Sequence, residues 1–298
     1  DFLRGRVSGS LEYFYRNTSD MLFWFTVPAS LGYSGYYDNI GDMRNQGVEF
    51  STNVTVMQRQ NLNWNVYFNL THYTNKITML PEERKTRVVE GYEGYANGTT
   101  FIGEGLPLNT FYMYKYAGVD QTNGNPLWYK DVLDEEGNVV GRETTDQYAQ
   151  ATQYLCGDPV PDLYGGFGTS LSFHGFDVAV AFTYSVGGLA YDSGYAGYMG
   201  SPSAASAGTN FHKDILKSWT PENPSSDIPK FQYNEQYTAA SSDRFLVDAS
   251  YLNFQNAQIG YSFSPKVTER MHISRLRLYV ACDNIYYWSR RAGLDPRQ

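Results

Sequence analysis

Period-two alternation of apolar and polar side chains is the feature that most constrains this sequence. In residues 176–187, one set of alternate positions is aromatic or branched, and the intervening set is small or polar. Side chains of a β-strand point alternately to opposite faces, so this segment is predicted to be a strand with one apolar face. Residues 165–174 alternate in the same way, and His174 and Gly175 predict a tight hairpin turn between the two strands.

Similar segments recur along the chain and predict about nine strands. We place them at 6–26, 43–57, 62–78, 110–119, 126–132, 165–174, 176–187, 249–263 and 274–287. The connections differ in length: short ones lie near 58–61, 120–125, 174–175 and 264–273, and long ones near 27–42, 79–109, 133–164 and 188–248. Short turns at one end and long loops at the other are typical of an outer-membrane β-barrel.

The residue types on the polar faces favour a membrane barrel over a large soluble β fold, which stays the alternative. These faces carry Asn, Ser, Thr, Gly and Tyr, and the 27 Tyr residues of the chain outnumber its 23 Lys and Arg residues. A soluble sheet usually exposes Lys and Glu, whereas a polar, weakly charged face suits a wet lumen. Within 176–187, we therefore expect Val178, Val180, Phe182 and Val186 to face lipid. Asp177, Thr183 and Ser185 should face inward.

The overall charge and the strand count restrict the function classes further. The net charge is −8, which argues against nucleic-acid binding because a phosphate-binding face must be basic. A spanning helix needs about 20 mostly apolar residues, and the sequence has no such segment.

An odd number of strands with two unpaired edges would leave backbone groups unsatisfied in lipid. We therefore expect residues 1–298 to be one portion of a larger barrel domain.

An ordered set of motifs supports the same conclusion. The clearest are NIGDMRNQGVE at 39–49, YKYAGVD at 114–120, NGNPLWY at 123–129 and GDPVP at 157–161. Further blocks in the same order occupy 165–177, 218–223, 242–246, 283–284 and 293–296. Together they resemble the SusC/RagA family of TonB-linked outer-membrane proteins, the TonB-dependent transporters, over essentially the whole chain.

The resemblance implies a specific architecture and specific partners. The family's barrel has about 22 strands and encloses an N-terminal plug. This chain would be the C-terminal part of that barrel, without the plug, the early strands and the final strand. The implied location is the outer membrane of a Gram-negative, Bacteroidota-like bacterium. The implied partners are a SusD-like lipoprotein lid, outer-membrane lipid, a nutrient cargo, and TonB with its inner-membrane motor, which would act through the absent N-terminal part.

Catalytic and cofactor motifs are missing from the sequence. It contains no G-x-S-x-G elbow and no phosphate-binding loop, and its four His residues are too scattered to suggest metal ligation. We therefore predict no catalytic residues, no metal site and no cofactor, and we expect that the protein is not an enzyme.

Aromatic residues in the long connections are the best candidates for ligand or lid contacts. Aromatic rings can stack on sugars or pack on a peptide, and the Tyr hydroxyl adds hydrogen bonds. The candidates are Tyr33, Tyr36, Tyr37, Tyr92, Tyr95, Tyr191, Tyr195, Tyr198 and Trp219. The first hypothesis is active import of an oligosaccharide or peptide. The alternatives are a passive pore or adhesin barrel, and a soluble, aromatic-rich carbohydrate-binding module.

Overall fold

The structure is a computed structural model that describes residues 1–39, 41–204, 208–235, 237–291 and 293–297. The long connection predicted at 188–248 therefore includes four positions, 205–207 and 236, that lie outside the described residues. The strands are β1 Val7–Thr18, β2 Leu22–Thr26, β3 Gly35–Asn39, β4 Asp42–Arg59, β5 Leu62–Met79, β6 Arg87–Val89, β7 Tyr92–Asn97, β8 Thr100–Gly103, β9 Thr110–Tyr114, β10 Tyr116–Val119, β11 Pro126–Leu133, β12 Val139–Thr145, β13 Gln153–Leu155, β14 Leu163–Phe173, β15 Phe176–Val186, β16 Leu189–Tyr191, β17 Leu246–Asp248, β18 Tyr251–Ser262 and β19 Arg277–Ser289. The α-helices are α1 Ser193–Tyr198 and α2 Pro265–Arg270, and 3₁₀ turns occur at Ala29–Leu31, Glu82–Arg84, Tyr148–Gln150, Lys213–Lys217 and Asp243–Phe245. Among these residues, no helix is both long and apolar enough to cross a membrane.

The main feature is a seven-stranded antiparallel sheet in the order β1-β4-β5-β14-β15-β18-β19. Its shortest strands, β14 and β15, have 11 residues, and β4 and β5 have 18. A tilted strand of about 9–11 residues crosses a bilayer, so every strand of this sheet is long enough to span.

The register of this sheet collects the apolar side chains on one face. Phe68, Phe167, Phe182, Phe254 and Tyr286 are successive cross-strand partners and form an aromatic row over five strands. The ring centroids are 5.0 Å apart between Phe167 and Phe182, and 4.7 Å apart between Phe182 and Phe254.

Aliphatic residues continue this face toward the short turns. Val178 lies between Leu171 and Ile259, and Ile259 pairs with Val280. The Val280 side chain is 65% exposed in the described chain. Exposing an apolar face that continues across five strands would be unfavourable in water, but a barrel wall that contacts lipid requires such a face.

The opposite face is polar and carries a row that runs Asn69, Gly166, Thr183 and Asn253 across four strands. Hydrogen bonds link neighbours on this face: Ser10 and Ser51 hydroxyls lie 2.9 Å apart. Asp177 and Ser185 share this face, and Val180 and Phe182 lie on the other, as the alternation predicts. The chain is thus a segment of an antiparallel transmembrane β-barrel, with its polar face toward the lumen, which confirms the predicted fold class.

The strand count needs one correction, because the predicted strands at 110–119 and 126–132 do not join the barrel sheet. Residues 110–119 form β9 and β10, which belong to different small sheets, and β11 pairs with β10 and β12. The physical reason is length: β9 has 5 residues, β10 has 4 and β11 has 8, whereas a tilted strand needs about 9–11 to cross a bilayer. The sheet therefore has seven spanning strands instead of about nine.

The connections between the seven strands differ strongly in length, as the sequence predicts, but the predicted strand 6–26 is divided. Its first part is β1, and 22–26 form β2, which pairs with β3 outside the barrel sheet. Short connections lie at 60–61, 174–175 and 263–276, and long ones at 19–41, 80–162 and 187–250. His174 and Gly175 both have positive φ, 47° and 91°, and form the predicted two-residue hairpin turn. A Cβ on Gly175 would lie 2.7 Å from the carbonyl oxygen of Ser262, so this close approach of neighbouring hairpins favours glycine.

The described residues of the two longest connections, 80–162 and 187–250, fold into a compact structure that we call the cap. It contains a five-stranded sheet, β13-β9-β8-β7-β6, a three-stranded sheet, β10-β11-β12, and the pair β16-β17. Its buried clusters include Phe101 with Tyr112, and Met199 with Phe245. Most of the buried apolar side chains of the described chain lie here, because the barrel wall turns its apolar face outward.

Candidate functional site

Three of the nine predicted aromatic residues come together at one cavity. Tyr191 ends β16, and Tyr195 and Tyr198 lie on α1, the short helix that follows it. The cavity has a volume of about 580 Å³. Its wall also includes Tyr287, which β19 places on the polar, lumen-facing side next to Asn253. The site therefore lies where the cap meets the upper part of the barrel lumen.

Arg291 and Asp192 fix the position of Tyr195 in the cavity wall. The Arg291 guanidinium carbon lies 3.5 Å from the centroid of the Tyr195 ring, and Arg291 Nε donates to Asp192 Oδ2 at 3.0 Å. Asp192 Oδ1 accepts from the backbone N–H of Tyr195 at 2.8 Å and so caps α1. Asp192 is only 7% exposed, and both of its carboxylate oxygens have partners.

The hydroxyl of Tyr195 connects this pair to a second charged group. It donates to Asp214 Oδ2 at 3.1 Å, and Lys217 Nζ donates to Asp214 Oδ1 at 3.1 Å. Burial raises the pKa of Tyr195, and the hydrogen bond from Lys217 lowers the pKa of Asp214. At neutral pH the Tyr195 phenol of the cavity wall is thus neutral and donates to an Asp214 carboxylate that Lys217 holds in place. His212 packs edge-on against the same ring, with centroids 4.8 Å apart.

This arrangement is suited to binding a polar ligand. Tyr rings provide stacking surfaces, and hydroxyl, carboxylate and guanidinium groups provide hydrogen bonds of fixed direction. Within the part of the chain that the structure describes, no group of three or more His, Cys, Asp or Glu side chains could hold a metal ion.

Two of the remaining candidates have structural roles. Tyr95 is 7% exposed and packs with Ile77, Leu80 and Ile102. Trp219 Nε1 donates to the carbonyl oxygen of Gln121 at 3.2 Å, and its indole ring covers a turn of the cap. Their surroundings account for both side chains without a ligand.

The other four candidates lie near the surface and away from the cavity. Tyr33 precedes β3, and Tyr36 and Tyr37 lie on it. Tyr37 is 68% exposed, and its ring meets Trp24 of β2 edge-on at 5.0 Å. Tyr92, on β7 of the cap, is 39% exposed. These residues form no common site with the cavity, although the β2–β3 hairpin presents an aromatic surface.

Sequence reasoning missed the polar residues that complete the cavity. Arg291 and Asp192 are 99 positions apart, and no local pattern connects them. Tyr287 could have been predicted from the sequence, because alternation along β19 places it on the polar face. Arg291 follows that strand and could be recognised only from the folded chain.

Curated relatives with similar sequences are TonB-dependent receptors. TonB-dependent receptor P3 of Formosa agariphila is 29% identical over 300 residues, which cover 98% of this chain and 29% of the relative. TonB-dependent receptor SusC of Bacteroides thetaiotaomicron is 25% identical over 302 residues, or 99% of this chain and 28% of that protein. This chain therefore spans less than a third of the length of these relatives. A scan against protein-family models finds no match.

Solved structures of a peptide transporter are similar to this fold. The RagAB peptide transporter superposes with a TM-score of 0.78 at 27% identity, covering 98% of this chain and 31% of that one. The RagAB peptide importer in its 'open-open' state gives a TM-score of 0.75, also at 27% identity, over 99% of this chain and 30% of that one. Sequence and structure thus agree with the ordered motifs: this chain resembles the C-terminal barrel part of the SusC/RagA family of TonB-linked outer-membrane proteins.

Proposed function

We propose that this chain forms part of an outer-membrane active importer of a large nutrient, driven by TonB and working with a SusD-like surface lipoprotein. The observation that carries the proposal is the pairing of a lipid-facing, seven-stranded barrel wall with a folded cap on its long-loop side. The similarity to TonB-dependent receptors and to the RagAB transporter supports it. The plug and the TonB contact would belong to a part of the protein outside these 298 residues.

The proposed orientation places the cap outside the cell. Outer-membrane barrels have short periplasmic turns and longer extracellular loops. By this rule, the turns at 60–61, 174–175 and 263–276 are periplasmic, and the cap faces the medium. The protein would then lie in the outer membrane of a Gram-negative bacterium of the Bacteroidota type.

In this proposal the cavity at Tyr191, Tyr195 and Tyr198 contacts the cargo as it enters the lumen. Its position beside Tyr287 at the top of the polar face supports this role. An oligosaccharide and a peptide both fit its aromatic and hydrogen-bonding wall, and the similarity to a transporter described as a peptide transporter favours a peptide.

The exposed aromatic residues of the β2–β3 hairpin and Tyr92 would contact the lipoprotein lid. Connection 188–248 would contribute to the lid interface or to the cargo chamber. A stable interface buries at least about 1,000 Å² in total, which connections of this length can supply.

The test compares two Tyr variants of the same connection. Tyr198 is 56% exposed and lines the cavity, whereas Tyr233 is 64% exposed and does not line it. In cells that grow on a single peptide or oligosaccharide source, Tyr198→Ala should slow uptake several-fold, and Tyr233→Ala should leave it unchanged. Equal uptake by both variants would show that the cavity does not contact the cargo during import.

TonB dependence separates an active importer from the alternative, a passive pore or adhesin barrel. Deletion of TonB should abolish uptake through this protein, and pull-down from detergent should recover a surface lipoprotein. Undiminished uptake without TonB would identify a passive pore, and a protein that supports no uptake would fit an adhesin. The extended exposed apolar face argues against the third hypothesis, a soluble carbohydrate-binding module.

A further inference from the structure

Two cations lie side by side on the outward face of the barrel wall. Arg44 of β4 and Lys76 of β5 are direct cross-strand partners. Both occupy even-numbered positions, as do Phe50 of β4 and Phe68 of β5, and no bulge interrupts either strand in between. Their side chains therefore leave the sheet on the lipid-facing side.

This pair lacks an acidic partner in the part of the chain that the structure describes. Among the described residues, neither Arg44 nor Lys76 forms an ion pair within 4.0 Å. The neutral contacts of Arg44 are the Asn17 side chain, whose Oδ1 accepts from Nε at 3.4 Å, and the Tyr15 ring, 5.0 Å away. Like charges directly opposite each other destabilise a sheet, so an anion between them would stabilise it.

A pocket of about 370 Å³ opens at this pair. Gln46 and Thr74 also line this pocket, and they are the cross-strand partners next to Arg44 and Lys76 on the membrane side. Gly105 of the cap forms the upper edge, or lip, of the pocket. The Gly105 backbone N–H donates to the carbonyl oxygen of Ile77 at 2.9 Å, which fixes that lip to β5. Guanidinium, ammonium and carboxamide groups thus converge on one outward-facing recess, and such donors suit a phosphate. The Thr74 hydroxyl donates to the carbonyl oxygen of Gln46 at 3.5 Å.

The height of the pocket matches the headgroup layer of the bilayer. The apolar outward residues of β4 end at Val48, which is paired with His72, and Gln46 and Thr74 lie two residues beyond it. At about 3.3 Å per residue and a tilt near 40°, that step rises roughly 5 Å. Headgroups extend roughly 5–7 Å beyond the hydrocarbon core on each side. Arg44 reaches down to this level, because its guanidinium lies over Tyr15, the partner of Gln46.

We propose that the Arg44–Lys76 pocket binds the phosphate of a phosphorylated glycolipid in the outer leaflet. The inference rests on the proposed placement in an outer membrane with the cap outside. A lipid is the occupant because the pocket opens away from the lumen and sits directly above the apolar band. Acyl chains of a bound glycolipid would lie along Val48 and the neighbouring outward side chains.

The test measures lipid retention by the protein purified from its outer membrane in mild detergent. Native mass spectrometry counts bound glycolipid in the wild type and in an Arg44→Gln/Lys76→Gln double variant. Each surface cation contributes about fivefold to the binding of an anionic lipid, so retention should fall roughly 30-fold in the double variant. Arg87→Gln/Lys213→Gln is the matched control, because both residues are exposed, lie in the cap and form no ion pair in the described chain.

The single variant Lys76→Gln is milder, because it keeps Arg44 and its position over the Tyr15 ring. Lys76→Gln should lower retention about fivefold even if the double variant assembles poorly. The wild type should not retain the glycolipid after its phosphates are removed enzymatically, and excess inorganic phosphate should not displace the intact lipid.

Three results would overturn the proposal: equal retention by Lys76→Gln and the wild type, binding of the dephosphorylated glycolipid, or displacement by inorganic phosphate, which would indicate a site for the free ion. Nutrient uptake distinguishes this failure from failure of the transport function. Because the pocket is outside the lumen, Lys76→Gln should import cargo at the wild-type rate whether or not it binds lipid.

Discussion

At the scale of single residues, the two faces of one strand have opposite chemical requirements. Val180 lies in the middle of β15 on the apolar face, between Thr169 and Ala257. Its neighbour Ala179 lies on the polar face, between Ser170 and Gln258, and lines an Asn-containing cavity of about 280 Å³. Two adjacent positions of one strand thus face opposite environments: Val180 faces the lipid and Ala179 faces the lumen.

Arginine at these two positions tests the face assignment. Val180→Arg should lower the free energy of unfolding in vesicles by about 2–4 kcal/mol, because the charge would lie near the bilayer midplane. Ala179→Arg, the control, should lower it by much less, since the lumen is polar. Urea titration of the protein refolded in vesicles gives both values. Equal destabilisation, or a larger effect at Ala179, would reverse the two faces.

Cys156 supplies a prediction about pH in the cap. Burial raises the pKa of its thiol from 9.0 to about 11. Because this folded-state pKa is the higher one, the contribution of the thiol to stability is fully present below pH 9.0 and is lost as the pH rises to about 11. In a Cys282→Ser background, alkylation of Cys156 should therefore be slow at neutral pH and accelerate up to pH 11. Rapid labelling at neutral pH without unfolding would contradict the shielding of this half-buried thiol.

At the scale of elements, alternation was enough to locate the spanning strands. The predicted segments 43–57 and 62–78 correspond to β4, Asp42–Arg59, and β5, Leu62–Met79. The same pattern at 110–119 and 126–132 produced strands of the cap, because a period of two identifies a strand but not the sheet that it joins. Strand length in the folded chain separates the two cases: β9, β10 and β11 have 5, 4 and 8 residues, whereas the shortest barrel strands have 11.

The candidate site was predictable in part for a related reason. Composition singled out the Tyr residues of the long connections, and Tyr191, Tyr195 and Tyr198 do share a cavity. Tyr95 belongs to the same class in sequence, yet it is buried in the cap. Burial depends on contacts between distant segments, such as Tyr95 with Ile77, which local patterns do not encode.

The cap and the short turns lie at opposite ends of the barrel strands, so their accessibility on cells tests the orientation of the protein in the membrane. An epitope inserted at 135–136, in the turn between β11 and β12 of the cap, should bind antibody on intact cells. An epitope at 174–175, in the turn between β14 and β15, should bind only after the outer membrane is opened. The reverse pattern would invert the orientation on which both the import proposal and the lipid pocket depend.

At the scale of the whole molecule, the sheet has two open edges. In the described chain, β1 pairs only with β4, and β19 pairs only with β18 within the seven-stranded sheet. About half of the backbone N–H and C=O groups of an edge strand point away from its single neighbour. Each unsatisfied group costs several kcal/mol in lipid, so two bare edges of 12 and 13 residues would exceed the roughly 5–15 kcal/mol by which proteins are stable.

Further strands of the same barrel are therefore expected to pair with β1 and β19, and hydrogen exchange can detect them. In the protein within its outer membrane, the amides of β1 and β19 should be as protected as those of the central strand β14, because further barrel strands would then pair with both edges. In the described chain, β14 is paired on both sides, whereas β1 and β19 are each paired on one. When the 298-residue segment is refolded alone in detergent, the outward-pointing amides of β1 and β19 should exchange quickly while β14 stays protected. Fast exchange at both edges in the membrane-embedded protein would show that the sheet ends there, and would contradict a larger closed barrel.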